Sequence, residues 1–211
     1  MNIVLIWIQW SWKWTQARLI QEKYTYHLFE MWQKLRNFTT LWLPESQTVK
    51  ECIDSWRLVT IEMIWKILTH YRDTHKENFI IFDWIPRSLW QKEMFDLIIK
   101  EYVVFYLDLD KEEAIRRLSW RRIDPISWES FPQEFKWDIN PKTWNKLVVR
   151  DDDKPEAVRK RVETFYSNTM PLLASWAQDR RKIYHIDASW VPENVFKEIE
   201  DIIENEFYKS V

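Results

Sequence analysis

Glycine is absent from this chain, whereas tryptophan occurs 16 times among its 211 residues. Glycine makes up about 7% of an ordinary protein, so about 15 would be expected in a chain of this length. The tryptophans recur in segments 11–15, 83–86 and 189–192, where turns or loop ends are expected and glycine is the usual residue. We infer that most or all of them occupy glycine positions of an ordinary parent sequence. The scaffold and its ability to function are therefore separate questions.

The composition narrows the classes of protein that remain. With 46% apolar residues the chain can bury a large core, and with a net charge of −2 it lacks the positive field that attracts nucleic acid or anionic lipid. The single cysteine, Cys52, rules out a disulfide framework and a multi-cysteine zinc site, and the four histidines are too scattered to suggest a metal motif. The sequence shows neither an apolar run of about 18 residues nor a basic leader. We expect a cytoplasmic protein with no membrane and no nucleic-acid partner.

Short apolar runs alternate with helical stretches along the chain. The runs lie at 3–6, 79–82, 103–107 and 183–186, and they are continuous, as is typical of strands buried on both faces. The helical stretches lie at about 13–23, 60–75, 88–100, 111–120, 155–175 and 191–207. This alternation predicts an α/β fold with a parallel sheet core flanked by helices.

Two segments interrupt the alternation and are predicted to be insertions. Residues 30–59 are polar and helix-like, and residues 121–154 contain three prolines and little aliphatic content. A structureless loop of that second length is unusual, so we expect a small lid there. The core then comprises residues 1–29, 60–120 and 155–211.

The first candidate site follows the first strand, at 7–15. A tight loop, then Lys13 at a helix start and the hydroxyl of Thr15, is the layout of a phosphate-binding loop. The four glycine-type positions of this layout are occupied by Trp7, Trp10, Trp12 and Trp14. The alternative interpretation is that Lys13 is an ordinary exposed residue of a first helical turn.

The second candidate site follows the next apolar run. Asp83 ends that strand, at the edge of a parallel sheet where α/β proteins bind ligands, and a carboxylate there can orient Mg²⁺-bound water. Arg87 can bind a phosphate through two parallel hydrogen bonds from its guanidinium group. Alternatively, Asp83 caps a helix and Arg87 forms a surface ion pair.

Arginines also cluster at the edges of the second insertion, which suits a cover that brings positive charge onto a polyphosphate. The cluster comprises Arg117, Arg121, Arg122, Arg150 and Arg161. Each of them could instead belong to a solvated helix face, as we expect for Arg116, Arg159 and Lys160.

With glycine substituted for tryptophan, the sequence resembles an adenylate kinase over essentially its full length. The matching motifs are the loop at 7–15, Leu35-Arg36, the Asp-x-x-Pro-Arg-x-x-x-Gln signature at 83–91, the pair Arg121-Arg122, and Arg150-Asp151-Asp152-Asp153 followed by Arg161. The resemblance implies a P-loop sheet with a monophosphate-binding insertion and a lid, and a monomer that transfers a phosphoryl group reversibly from ATP to AMP.

The resemblance also implies roles for individual residues. The ATP-binding positions would be Trp10, Ser11, Trp12, Lys13, Trp14, Thr15, Arg117 and Arg121, and the AMP-binding positions would be Met31, Arg36, Trp84, Arg87 and Gln91. The catalytic set would be Lys13, Arg87, Arg121, Arg150 and Arg161, with Asp83 organising Mg²⁺. Met31 and Gln33 depart from the Thr and Asp that are common in the family. The four-cysteine zinc set of some members is missing, so no structural zinc is expected.

Three hypotheses about function follow. Because a left-handed backbone costs a residue with a side chain about 1–2 kcal/mol, and overpacking about 1–3 kcal/mol, we favour an adenylate kinase scaffold that is inactive as written. The second hypothesis is an active adenylate kinase, supported by the lysine, aspartate and arginine set. The third is a tryptophan-rich module that stacks bases or sugars, which the absence of a basic groove opposes.

Overall fold

The structure is a computed structural model that describes residues 1–8, 13–40, 44–54, 59–75, 79–83, 85–119, 121–127, 129–131, 134–149 and 153–208. Its strands are β1 (Asn2–Trp7), β2 (His27–Glu30), β3 (Ile80–Asp83), β4 (Tyr102–Asp108), β5 (Arg122–Ile123), β6 (Ser130–Phe131), β7 (Val148–Val149) and β8 (Ile183–Asp187).

Single helices follow β1, β3 and β4, whereas three helices in succession separate β2 from β3 and, among the described residues, no helix lies between β5, β6 and β7. The helices are α1 (Lys13–Tyr24), α2 (Met31–Thr39), α3 (Pro44–Asp54), α4 (Ile61–Thr74), α5 (Leu89–Ile98), α6 (Lys111–Leu118), α7 (Pro155–Thr164), α8 (Met170–Gln178) and α9 (Pro192–Ile203). Two π-helical segments, Phe165–Thr169 and Glu204–Tyr208, follow α7 and α9. Among the described helices, none is both long enough and apolar enough to cross a membrane.

The core is a five-stranded parallel sheet in the order β2-β3-β1-β4-β8. In the central strand, Ile3 pairs with Ile81 of β3 on one side and Val103 of β4 on the other. Consecutive residues of β1, β3 and β4 are buried, although neighbouring side chains point to opposite faces. Both faces are therefore covered by helices, and the predicted parallel α/β fold with flanking helices is confirmed.

The helices form two packed groups around this sheet. Helix α1 contacts α9, whereas α5 contacts both α4 and α8. Aromatic rings join the groups to the strands: Phe82 of β3 lies 4.9 Å from Phe95 of α5 and 5.6 Å from Phe29 of β2, measured between ring centroids. These contacts pack α5 and β2 against β3.

All four predicted apolar runs are strands of the sheet, but the fifth strand was missed. In β2, which pairs with β3 from His27 to Glu30, only Phe29 is fully buried. A four-residue edge strand with one buried side chain has neither a continuous apolar run nor a clear alternation. Its position depends on hydrogen bonding to β3, which the local sequence does not reveal.

The segment predicted as a lid contains a second, smaller sheet. Strands β6, β5 and β7 pair antiparallel in that order, and we call residues 121–127, 129–131 and 134–149 the small sheet unit. That this unit moves as a lid, and that α2 and α3 form a monophosphate-binding insertion, remain predictions.

A buried carboxylate organises the small sheet unit. Asp124 is fully buried and accepts hydrogen bonds from Thr143, from Asn140 at 2.8 Å, from Asn145 at 3.1 Å and from two backbone amides, those of Ile126 and Ser127. Burial alone would raise the pKa of Asp124, but these hydrogen bonds outweigh it and hold the pKa well below its ordinary value. The unit is thus built around a stabilised anion.

The described tryptophans occupy contrasting environments. Trp144 directly follows the turn at 141–143 and has a φ of 62°, in the left-handed region that favours glycine, and the residue is 75% exposed. Trp176, by contrast, lies fully buried inside α8, where its Nε1 donates a hydrogen bond of 2.7 Å to Tyr102 Oη. Trp144 fits the interpretation of a glycine-type position, whereas Trp176 is an ordinary core residue of a helix. The general assignment of the tryptophans stays a prediction.

Candidate active site

The candidate site lies at the carboxyl end of the parallel sheet. A pocket there is lined by the end of β1 (Leu5, Ile6, Trp7), by Pro86 and Arg87 after β3, and by Phe165 and Thr169 of the first π-helical segment. Asp83, the last residue of β3, is buried and pairs in register with Leu5 and Glu30. Parallel strands place their ligand sites at this edge.

Arg87 is held through its main chain. Its amide donates a hydrogen bond of 2.8 Å to Gln91 Oε1, and its carbonyl accepts one of 3.4 Å from Thr169 Oγ1. Gln91 and Thr169 are both buried, so neither bond competes strongly with water. Helix α5 and the first π-helical segment thereby fix the same residue from two sides.

The surroundings of Arg87 make its protonated form less favourable than it is in water. Burial and the nearby positive charge of Arg161 lower the pKa of Arg87 to about 10, while the Asp83 carboxylate partly offsets this. The guanidinium therefore stays protonated at neutral pH. Two like charges held close together favour the arrival of an anion between or beside them.

A second pair of arginines shares one carboxylate. Asp153 is fully buried and accepts hydrogen bonds from Arg121 Nε and, at 3.3 Å, from Arg161 Nη1. Arg161 is a residue of α7, whereas Arg121 directly precedes β5. The buried carboxylate thus ties the small sheet unit to α7 and fixes two cations at one place.

Arg117 is positioned by different contacts. Its two terminal nitrogens donate to the carbonyl oxygens of Ala188, at 3.1 Å, and Ser189, at 2.6 Å, and it also pairs with Glu113. The side chain therefore lies against the loop between β8 and α9.

The remaining predicted residues are described only in part. Trp10, Ser11, Trp12, Trp84 and Arg150 lie outside the described residues, and for Lys13 and Trp14 the structure describes only the helical backbone at the start of α1. Thr15 is exposed on α1, Met31 is buried at the start of α2, and Arg36 is exposed in the last turn of α2. Among the described residues, no three metal-ligating side chains of His, Cys, Asp or Glu cluster together. Asp83 remains the predicted residue for Mg²⁺.

The structure adds two residues that the sequence did not single out for a role. Asp153 bridges Arg121 and Arg161, and Thr169 holds Arg87. Asp153 belongs to a quoted motif, so its acidic run next to arginines was a usable signal. Thr169 gave no such signal, because it is 82 residues away from its partner and lies within a helical stretch.

The parallel sheet order and the pocket at its carboxyl end, together with the fixed arginines, are consistent with an α/β nucleotide kinase of the phosphate-loop class.

The family is shown by comparison with known sequences. The profile of the family described as Adenylate kinase matches residues 10–181. The chain is 29% identical to an adenylate kinase of Archaeoglobus fulgidus, with 97% of this chain and 98% of the relative covered. It is 27% identical to one from Chlamydia muridarum, covering 94% and 85%, and 35% identical to one from Treponema denticola, covering 70% and 72%. The chain belongs to the adenylate kinase family.

Proposed function

We propose that this chain keeps the scaffold of an adenylate kinase but does not convert ATP and AMP to ADP as its sequence stands. The observation that carries the proposal is tryptophan at the four glycine-type positions of the phosphate loop, Trp7, Trp10, Trp12 and Trp14. Glycine leaves room for phosphate against the main chain and adopts backbone angles closed to other residues. Tryptophan fills that room with its side chain and adopts the left-handed backbone only at a cost of about 1–2 kcal/mol.

The described residues support a retained scaffold around the proposed site. Arg87, Arg121 and Arg161 have fixed partners, and by family resemblance Arg36 and Arg87 hold the AMP phosphate, Gln91 its adenine, and Lys13, Thr15 and Arg117 the ATP side. Arg150 joins the charge-stabilising arginines. Asp83, a buried carboxylate at the sheet edge, suits a water-mediated role toward nucleotide-bound Mg²⁺, since oxygen ligands are those that Mg²⁺ prefers.

Phosphoryl transfer of this kind forms no covalent link to the protein, so catalysis consists of positioning and charge stabilisation. Even correctly placed arginines cannot stabilise the transferred phosphoryl group if the loop does not bind the phosphates of ATP. Trp7 already lines the pocket that contains Arg87, where the loop begins. We propose in addition that the protein is monomeric and cytoplasmic.

The test is an assay of ADP formation from ATP, AMP and Mg²⁺ by the purified chain, with circular dichroism as a measure of folding. We expect no ADP above background in a folded sample. Measurable turnover would overturn the proposal and favour the second candidate, an active adenylate kinase, which the retained arginine set supports.

A set of reversions sharpens the test. Changing Trp7, Trp10, Trp12 and Trp14 to Gly is expected to be necessary for activity, but not sufficient while Trp84 remains. The matched control changes four tryptophans outside the loop, Trp128, Trp137, Trp144 and Trp190, and is expected to restore nothing. Full activity from the loop reversions alone would show that the other twelve tryptophans are tolerated.

A further inference from the structure

The first π-helical segment brings a second helix to Arg87. It joins α7, which carries Arg161, to α8, and its residues Phe165 and Thr169 both line the pocket that contains Arg87. Such wide turns within helices are rare and occur frequently at functional sites. Phe165 and Thr169 are both buried, so the segment is packed in place at this edge of the sheet.

Thr169 restrains the backbone of Arg87, whose side chain is repelled by the charge of Arg161. The charge of Arg161 acts against that of Arg87, because two cations close together repel. Thr169 lies eight positions after Arg161 on the same continuous run of helix and donates its hydroxyl to the Arg87 carbonyl at 3.4 Å. The same run of helix therefore carries both Arg161, whose charge repels that of Arg87, and Thr169, whose hydroxyl restrains the Arg87 backbone.

We propose that Thr169 is a positioning residue that holds Arg87 in place for a phosphate monoester. This inference rests on the proposed role of Arg87 as a phosphate ligand. Gln91 fixes the Arg87 amide and Thr169 fixes the carbonyl, so the backbone from which the guanidinium extends is restrained at both ends of one residue. Loss of either bond lets the guanidinium drift, and a displaced donor weakens anion binding without unfolding the site.

The test measures AMP binding to the unaltered chain and to Thr169→Val, which keeps the shape but removes the hydroxyl. The readout is the side-chain Nε–H signal of Arg87 in protein labelled with ¹⁵N-arginine, assigned by its loss in Arg87→Lys. We expect AMP to shift this signal and Thr169→Val to raise the Kd for AMP by about fivefold to tenfold, the range of one lost hydrogen bond. Thr169→Ser is expected to restore the Kd of the unaltered chain.

The matched control is Thr164→Val. Thr164 Oγ1 donates to the Lys160 carbonyl at 2.8 Å, so it makes the same kind of bond one segment earlier, on an exposed face. This variant is expected to bind AMP as the unaltered chain does. Equal affinity of Thr169→Val and the unaltered chain, or failure of Thr169→Ser to restore binding, would overturn the positioning role.

The outcomes separate this inference from the proposed lack of activity. No response of Arg87 to AMP at any concentration overturns the inference, whatever the activity assay gives. ADP formation by the unaltered chain overturns the proposed inactivity, whereas the ranking of the Thr169 variants in AMP binding still decides the role of Thr169.

Discussion

The five-stranded core and the small sheet unit are stabilised in opposite ways. In the core, β1, β3 and β4 are buried on both faces, and rings such as Phe82 pack between strands and helices. In the small sheet unit, both residues of β7 are exposed, and the buried Asp124 carboxylate accepts hydrogen bonds from three side chains and two backbone amides. The core depends on apolar burial and close packing, whereas the small unit depends on satisfying one buried anion. An exposed tryptophan in the small sheet unit is therefore expected to cost less free energy of unfolding than a tryptophan forced into a glycine position of the close-packed core.

The largest expected effect is a loss of stability when apolar packing in the five-stranded core is removed. Phe82→Ala should reduce the free energy of unfolding by about 3–5 kcal/mol, because it removes a fully buried ring and leaves a cavity. Chemical denaturation measures the loss. The control is Phe79→Ala, three residues earlier and 50% exposed, which should change stability by less than about 1 kcal/mol. Similar losses in the two variants would contradict the packing of β3.

The next largest effect is a local loss of stability that is confined to the small sheet unit. Asp124→Asn is nearly isosteric but points amide hydrogens at the donors of Asn140, Asn145 and Thr143, so hydrogen-exchange protection within the unit should fall by about tenfold or more. Protection of β1 and β4 should not change. Asp138→Asn, whose side chain is 85% exposed, is the control in the same unit. Global unfolding of the Asp124 variant would show that the two regions are not independent.

The pH dependence of the small sheet unit tests the same carboxylate. Since the folded-state pKa of Asp124 lies below its ordinary value of 3.8, its contribution to stability is complete well above pH 3.8 and is lost as the pH falls below that value toward the folded-state pKa. Hydrogen exchange within the unit, measured at a series of acidic pH values, should show this loss in the unaltered chain. The Asp124→Asn chain should lack that component, and identical acid profiles for the two would rule out Asp124 as its source.

The smallest expected effect concerns the surface of the small sheet unit. Trp144→Gly should raise stability by about 1 kcal/mol, because a left-handed residue with a side chain costs about 1–2 kcal/mol and Trp144 has little burial to lose. Trp137→Gly is the matched control, since Trp137 is also exposed, at 59%, but is not among the described residues with positive φ. It should gain nothing. Equal gains from both would indicate a general cost of exposed tryptophan instead of a backbone effect.

The sequence predicted individual residues of the candidate site, but it did not predict the hydrogen bonds and ion pairs that join them. Arg87, Arg121 and Arg161 were predicted from motifs, and the structure places Arg121 and Arg161 on one carboxylate and brings the charge of Arg161 to bear on Arg87. Motifs identify residue types at set spacings. The choice of Asp153 as the shared partner depends on how α7 meets the small sheet unit, which no local pattern contains.

By itself, the sequence determined the parallel α/β class and four of the five core strands, since continuous apolar runs are a local property of strands buried on both faces. It also placed tryptophan in every glycine-type position of the phosphate loop. Only the tertiary structure decided that β2 completes the sheet beside β3, that Trp176 is a core residue, and that Thr169 reaches Arg87. The physical reason is that periodicity records which face of an element is buried, whereas the partner of a strand or a hydroxyl is set by chain segments distant in sequence that folding brings into contact.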